Sequence, residues 1–232
     1  MIRYKKLALL NNIMKSQIKL FLSSNDRYQR YSEIAKYVSP KEKVLDVGGG
    51  EGLISKFISN DITILDINKD ELEIAKKQGL KTIHVDLINN KIKDNYYNTV
   101  ISVATLEHIS PDKREFYLKE LKRIAKDKII IFTPIGSSKY DKILYNFKKV
   151  IGIKDPWTLE HIKNGLPQLK DLKKIFSNAE IKLTQNAYLW LMIMFLQSMP
   201  LINKFLPGIV YLILKPINSL KPHTACILIS KK

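Results

Sequence analysis

The 232-residue chain has a single cysteine, Cys226, so neither an internal disulfide nor a cysteine-built metal cluster is available, and a reducing, cytoplasmic setting is expected. Arginine is scarce: Arg3, Arg27, Arg30, Arg114 and Arg123 are the only five among 39 basic residues. The formal net charge of +17 therefore rests on lysine, and the planar, bidentate group that phosphate-reading surfaces favour is in short supply. The charge, which first suggests nucleic acid or an acidic membrane face, thus reads as compositional bias as readily as a polyanion clamp, and its position along the chain says more than its total. Long apolar runs are missing too. The stretch LALL at 7–10 is too short for a signal-peptide core, and the unbroken run at 187–196 is half of the roughly 20 residues that a bilayer-spanning helix needs. Finally, residues 1–25 and 181–232 contain no acid; together they carry +11, leaving only +6 for residues 26–180.

What is present is a repeated apolar run, turn and helical stretch. Strands are expected at 43–47, 62–67, 81–87, 98–105 and 127–134, with helices at 53–59, 69–79 and 111–126 between them. Near-continuous Val/Ile strands alternating with helices predict an α/β fold, a doubly wound, mostly parallel sheet covered on both faces. After Pro134 a long mixed connection (135–167) leads to a helix at 168–177 and two more strands, 179–185 and 224–231, which makes seven. Two segments stand outside this scheme. Residues 5–22 place Leu7, Leu10, Met14, Ile18 and Phe21 on one helical face with Lys5, Lys15 and Lys19 elsewhere, the pattern of a basic amphipathic helix. Residues 187–214 hold one charge, Lys204, and are broken by Pro200, Pro207 and Gly208, which suits a pair of short helices. The expected organisation is an N-terminal helix (1–25) and one domain (26–232) with an apolar insertion at 187–218.

The sharpest signal is VLDVGGGEG at 44–52. Glycines at 48, 50 and 52 follow a strand and precede a helix, as a turn requires if it reverses the backbone sign and lets a ligand approach main-chain atoms. A dinucleotide fingerprint needs G-x-G-x-x-G, but its third position is Leu53 counted from Gly48 and Ser55 counted from Gly50, so the pattern fails in both registers. What stands there is D-x-G-x-G-x-G. Its carboxylate would repel a pyrophosphate and suit a ligand bearing an ammonium group.

In this motif the sequence resembles the class I S-adenosylmethionine-dependent methyltransferases, in particular their broad small-molecule (type 11-like) group, over about residues 27–186 and the last strand. The resemblance implies a Rossmann-like methyltransferase fold and S-adenosylmethionine as cofactor. It makes Asp46, Gly48, Gly49, Gly50 and Gly52 neighbours of the methionine moiety and Asp66 the acceptor of ribose hydroxyls, with Ile67 on the adenine. Asp86 would take the adenine amino group, with Leu87 beside it, and Val103, opening VATLEHI (103–109), would lie under the donor. The Asn/Asp-Pro-Pro-aromatic motif of nucleobase-amino methyltransferases is absent, and Cys226 sits in the last strand, away from where a cytosine-C5 nucleophile would be needed.

Positioning of donor and acceptor supplies most of the acceleration of methyl transfer, and a base is needed only for a hydroxyl or an acidic carbon. His108, after the fourth strand, and His161, in PWTLEH (156–161) of the long connection, are the candidate catalytic bases, with Trp157 a candidate pocket wall. The apolar insertion reads as a lid over a greasy acceptor, a membrane-surface anchor or a dimer interface. The functional expectation is a methyltransferase acting on a small-molecule, apolar or lipid-linked acceptor, touching the inner membrane face through 5–22 and 187–214. The alternative is an RNA methyltransferase using the basic ends.

Overall fold

The structure, a computed structural model, describes residues 2–232, apart from the side chains of residues 2–10 and Asn12. Helices α1 (Ile2–Ser23) and α2 (Asn25–Ala35) precede β1 (Lys43–Val47), β2 (Asp61–Asp66), α3 (Lys69–Lys77), β3 (Lys81–His84), β4 (Tyr97–Val103), α4 (Pro111–Ile124) and β5 (Ala125–Pro134). Then come α5 (Lys139–Val150), α6 (Pro156–Asn164), α7 (Leu169–Ile175), β6 (Glu180–Asn186), α8 (Ala187–Ser198), α9 (Leu206–Leu214) and β7 (His223–Lys231). The seven strands form one sheet in the order β3-β2-β1-β4-β5-β7-β6, parallel except for β7, which runs against both neighbours. The expected doubly wound sheet is thus observed.

Alternation along each strand explains the two layers. Leu45, Val47 and Leu65 face α4 and α7, where Tyr117, Leu118, Leu121 and Leu172 close over them. Val44, Ile62 and Ile64 face the other way, onto Tyr31 and Ile34 of α2 and Leu72 and Ala75 of α3. Both faces of the central strands are covered, so these strands are nearly continuous apolar runs, interrupted by buried Asp46, Thr63, Thr99, Ser102 and Thr133. Each large apolar side chain contributes roughly 1.5–3 kcal/mol by leaving water. Strand order reverses between β1 and β4. The crevice above their carboxyl ends is where open sheets of this kind bind ligands.

Some elements differ from the sequence expectation. Residues 135–167 are mostly helical: Asp155 caps α6 by accepting the Thr158 N–H at 3.0 Å, and Pro156 fills the first helical position, where no donor is needed. The helix expected at 53–59 is a single 3-10 turn, Leu53–Lys56. The third strand stops at His84, because Asp86 turns the chain by accepting the Ile88 N–H at 3.0 Å.

The apolar insertion is α8 and α9, packed with α1 around a small core of Leu189, Ile193 and Tyr211 joined by Phe21. At Gly208, α9 crosses α1 so closely that a Cβ would lie 2.7 Å from the Phe21 carbonyl oxygen and 2.9 Å from Leu22 Cα. Lys5, Leu7 and Leu10 of the expected amphipathic helix lie outside the described side chains. Among those described, Met14 and Ile18 are exposed while Phe21 packs edge-on against Tyr28 and Tyr211. No helix among the described residues is long and apolar enough to cross a membrane.

Candidate active site

β1 carries Asp46 into the layer beneath α2. Its side chain is fully buried, and neither carboxylate oxygen has a hydrogen-bond partner. Burial, and secondarily the charge of Asp66, push its carboxyl from the ordinary 3.8 up to about 8. The glycine turn lies on it: a Cβ at Gly49 would sit 2.5 Å from Asp46 Oδ2. Gly48 and Gly50 have φ of +70° and +51°, and side chains there would collide with Thr105 and Glu71 respectively. These glycines therefore set both the direction of the backbone and its distance from the neighbouring acids.

Asp66, at the end of β2, fastens this turn. Its Oδ2 accepts the Gly50 N–H and its Oδ1 the Asn68 N–H, both at 2.8 Å, leaving each oxygen a spare lone pair. Beside it Ile67 is 70% exposed, a large apolar side chain held out on the rim. Asp86 is exposed on the same edge, whereas Leu87 and Val103 are buried core side chains. Glu71, in the first turn of α3, completes the acidic rim; burial first, then Asp66 and Glu51, push its carboxyl upward against the opposing charge of Arg27.

A second polar group lies over the ends of β4, β5 and β6. There a cavity of about 50 Å³ is lined by Arg30, Glu107, Asp141, His161, Gln185 and Trp190, with apolar residues between them. Glu107 is 1% exposed, and its Oε2 accepts a hydrogen bond from Thr133 Oγ1 at 3.2 Å. His161 holds Asp141 Oδ1 at 2.8 Å through Nδ1, while its buried Nε2 has no partner; Arg30 Nε is likewise buried without one. His108 engages Glu160 Oε2 at 2.7 Å through Nδ1, and its ring lies 4.9 Å from that of His161. The two histidines are thus brought together, although 53 positions separate them. Strained backbone marks this lip: Ala104 (φ +53°) and Gln185 (φ +61°) occupy the left-handed region, costing about 1–2 kcal/mol each.

Trp157 is not a wall of this cavity. It stands 58% exposed, edge-on to His108, and the wall is Trp190 of α8. Glu71, Arg30, Glu107, Asp141 and Gln185 are site residues that motif reading missed. Glu107 had a signal, an acid inside the otherwise apolar run after β4; Asp141 had a lesser one in the helical spacing of 139–150. Arg30 and Gln185 come from distant elements and had none. Cys226 is fully buried in β7, and burial pushes its thiol up to about 12, so it is no nucleophile.

Residues 44–128 match the family model described as a methyltransferase domain. Among solved structures, an S-adenosylmethionine-dependent methyltransferase from Archaeoglobus fulgidus is 20% identical, covering 89% of this chain and 92% of its own at a TM-score of 0.55. A possible histamine N-methyltransferase from Thermotoga maritima is 16% identical over 88% and 89% of the two chains, TM-score 0.56. The magnesium protoporphyrin IX methyltransferase of Synechocystis, with bound S-adenosylhomocysteine, is 14% identical over 88% and 82%, TM-score 0.55. No curated protein matches the chain in sequence.

Proposed function

We propose that the chain is a class I S-adenosylmethionine-dependent methyltransferase that methylates an apolar or lipid-linked acceptor presented at a membrane surface; the match of residues 44–128 to a methyltransferase domain supports the first part. When bound, S-adenosylmethionine supplies a methyl group already activated on a sulfonium. The residues present fit that donor: a buried carboxylate with two unpaired oxygens is costly alone and is relieved by a cationic ligand. In this reading Asp46 and the 48–52 turn receive the methionine end, Asp66 and Asp86 the hydroxyl and amino groups of the nucleoside, and exposed Ile67 covers the base.

The acceptor's reacting end enters the cavity at Glu107 and His161. At about 50 Å³ it admits a small head and leaves the remainder outside. His161, held by Asp141 through Nδ1 with its Nε2 unpartnered, and Arg30, paired with Asp26, line that cavity beside the acceptor.

One observation carries the membrane part: α8 belongs to both regions. Its Trp190 lines the cavity, while Leu189 and Ile193 pack under α9, whose outer side bares Ile209, Leu212 and Ile213 next to Leu201 and Phe205. Leu201 is 90% exposed and Ile213 70%, an apolar patch flanked by Lys204 and Lys215. Lysines near an anionic leaflet contribute about 1 kcal/mol each. An RNA acceptor has less support, since Arg27, Arg30, Arg114 and Arg123 all bond to groups of the chain itself.

Labelled methyl donor and the purified protein added to a cell extract, then separated into lipid, RNA and soluble fractions, test the reading. Label is expected in the lipid fraction; label confined to RNA or to water-soluble molecules overturns it.

A further inference from the structure

Glu107, His108 and His161 each offer one ligand atom, and these atoms all lie within 4.8 Å of one another. From this geometry we propose that the three side chains bind a divalent transition-metal cation at the mouth of the acceptor cavity. The inference rests on the methyltransferase reading for its role, though not for its geometry.

The ligand set and its surroundings both support it. Two imidazoles and one carboxylate suit zinc, manganese, iron or cobalt, whereas magnesium and calcium prefer oxygen alone. Metal-bound histidines characteristically use the second ring nitrogen to hold a carboxylate, which fixes the ring and raises its basicity. Both histidines are arranged so: His161 Nδ1 with Asp141 Oδ1 at 2.8 Å and His108 Nδ1 with Glu160 Oε2 at 2.7 Å. That leaves Nε2 as the coordinating atom of each ring, and at His161 this nitrogen is buried without a partner. Glu107 is fixed through Thr133, which leaves its second oxygen to ligate. Ligands about 2.1 Å from a tetrahedral ion are roughly 3.4 Å apart, so the widest pair closes by about 1.4 Å on loading, within reach of side-chain rotation.

Three protein ligands leave positions open, and Glu107 and His161 both line the cavity. The site therefore selects an oxygen acceptor, a hydroxyl with a second oxygen beside it able to chelate. At an open position such a hydroxyl loses its proton to solvent near neutral pH, because the cation's charge stabilises the oxyanion. His161 then acts as a ligand rather than as the proton acceptor.

Cobalt(II) titrated into the chelator-treated full-length protein reads the site through its visible absorption, with calorimetry giving the stoichiometry. One ion per chain is expected. Glu107→Gln, His108→Ala and His161→Ala should each weaken binding at least tenfold, and Asp141→Asn, which touches only the second nitrogen, by 10- to 100-fold. Thermal melting and S-adenosylmethionine affinity, measured on the same samples, should stay near wild type. No stoichiometric cobalt in the wild type, or unchanged binding in Glu107→Gln and His108→Ala, overturns the cation site. If cobalt is absent and S-adenosylmethionine still binds, only the cation site falls; if S-adenosylmethionine fails to bind as well, the methyltransferase reading falls with it.

Discussion

Replacing Asp46 by Asn removes an ionisable group from a buried position while keeping its shape, and the consequence can be worked out from the structure. The folded protein holds this carboxyl at about 8, against 3.8 when unfolded. A carboxyl raised on folding binds its proton more tightly in the native state. Its stabilising contribution is therefore present at low pH and is lost as pH rises from 3.8 through 8. The slope is about 1.4 kcal/mol per pH unit, on the order of 4 kcal/mol between pH 5 and pH 8. For a chain of this length that corresponds to roughly 10 °C in Tm. Without donor, the Asp46→Asn protein should thus gain on the wild type progressively across this range in thermal melts. Donor affinity should move oppositely. An ammonium brought against Asp46 favours its ionised form, so wild-type binding expels a proton and tightens as pH rises toward 8, while Asp46→Asn binds weakly with no such slope. Calorimetry in two buffers of different ionisation enthalpy counts the proton. Parallel melting curves for the two proteins from pH 5 to 8, together with donor binding that takes up no buffer contribution, would refute the assignment of a strained, ligand-seeking carboxylate.

Gly49→Ala places a Cβ 2.5 Å from Asp46 Oδ2 and should reduce donor affinity tenfold or more by displacing that carboxylate, as read by calorimetry. His161→Ala should lower turnover by 10²- to 10⁴-fold with donor affinity unchanged; wild-type turnover would remove it from the chemistry. Flotation with anionic vesicles should recover the protein at low salt and release it at high salt, and Leu201→Ser with Ile213→Ser should abolish recovery without changing Tm. Gly208→Ala should destabilise by about 1–3 kcal/mol in denaturant titrations, since its Cβ meets backbone that cannot swing aside.

Much of the sheet was legible in the chain because strands buried on both faces are nearly continuous apolar runs, and 43–47 or 127–134 admit few other readings. The turn was legible for a related reason: positive φ and close approach select glycine locally. The 135–167 segment was harder, although Asp155-Pro156 is a helix start, because its apolar residues are spaced between two short helices with a break at 151–155. The acceptor cavity was the least legible part. Arg30 arrives from α2, Glu107 from the turn after β4, Asp141 from α5 and Gln185 from β6, so their meeting is a property of strand order, which no local pattern encodes. His108 and His161 were singled out individually, but only the fold shows their rings 4.9 Å apart, each tethered to its own acid.

The crossing of α1 and α9 at Gly208 also orders events during synthesis. Residues 2–23 leave the ribosome long before 206–214, so Phe21 can meet Tyr28 early, but its contact with Tyr211 forms only when the later helix arrives. Until then the side of Phe21 that meets α9 stays uncovered, and on the proposed membrane-surface reading a bilayer close to the exit site takes it first. On that reading the α1–α9 contact forms on the membrane, and targeting is coupled to the docking of α9 onto α1.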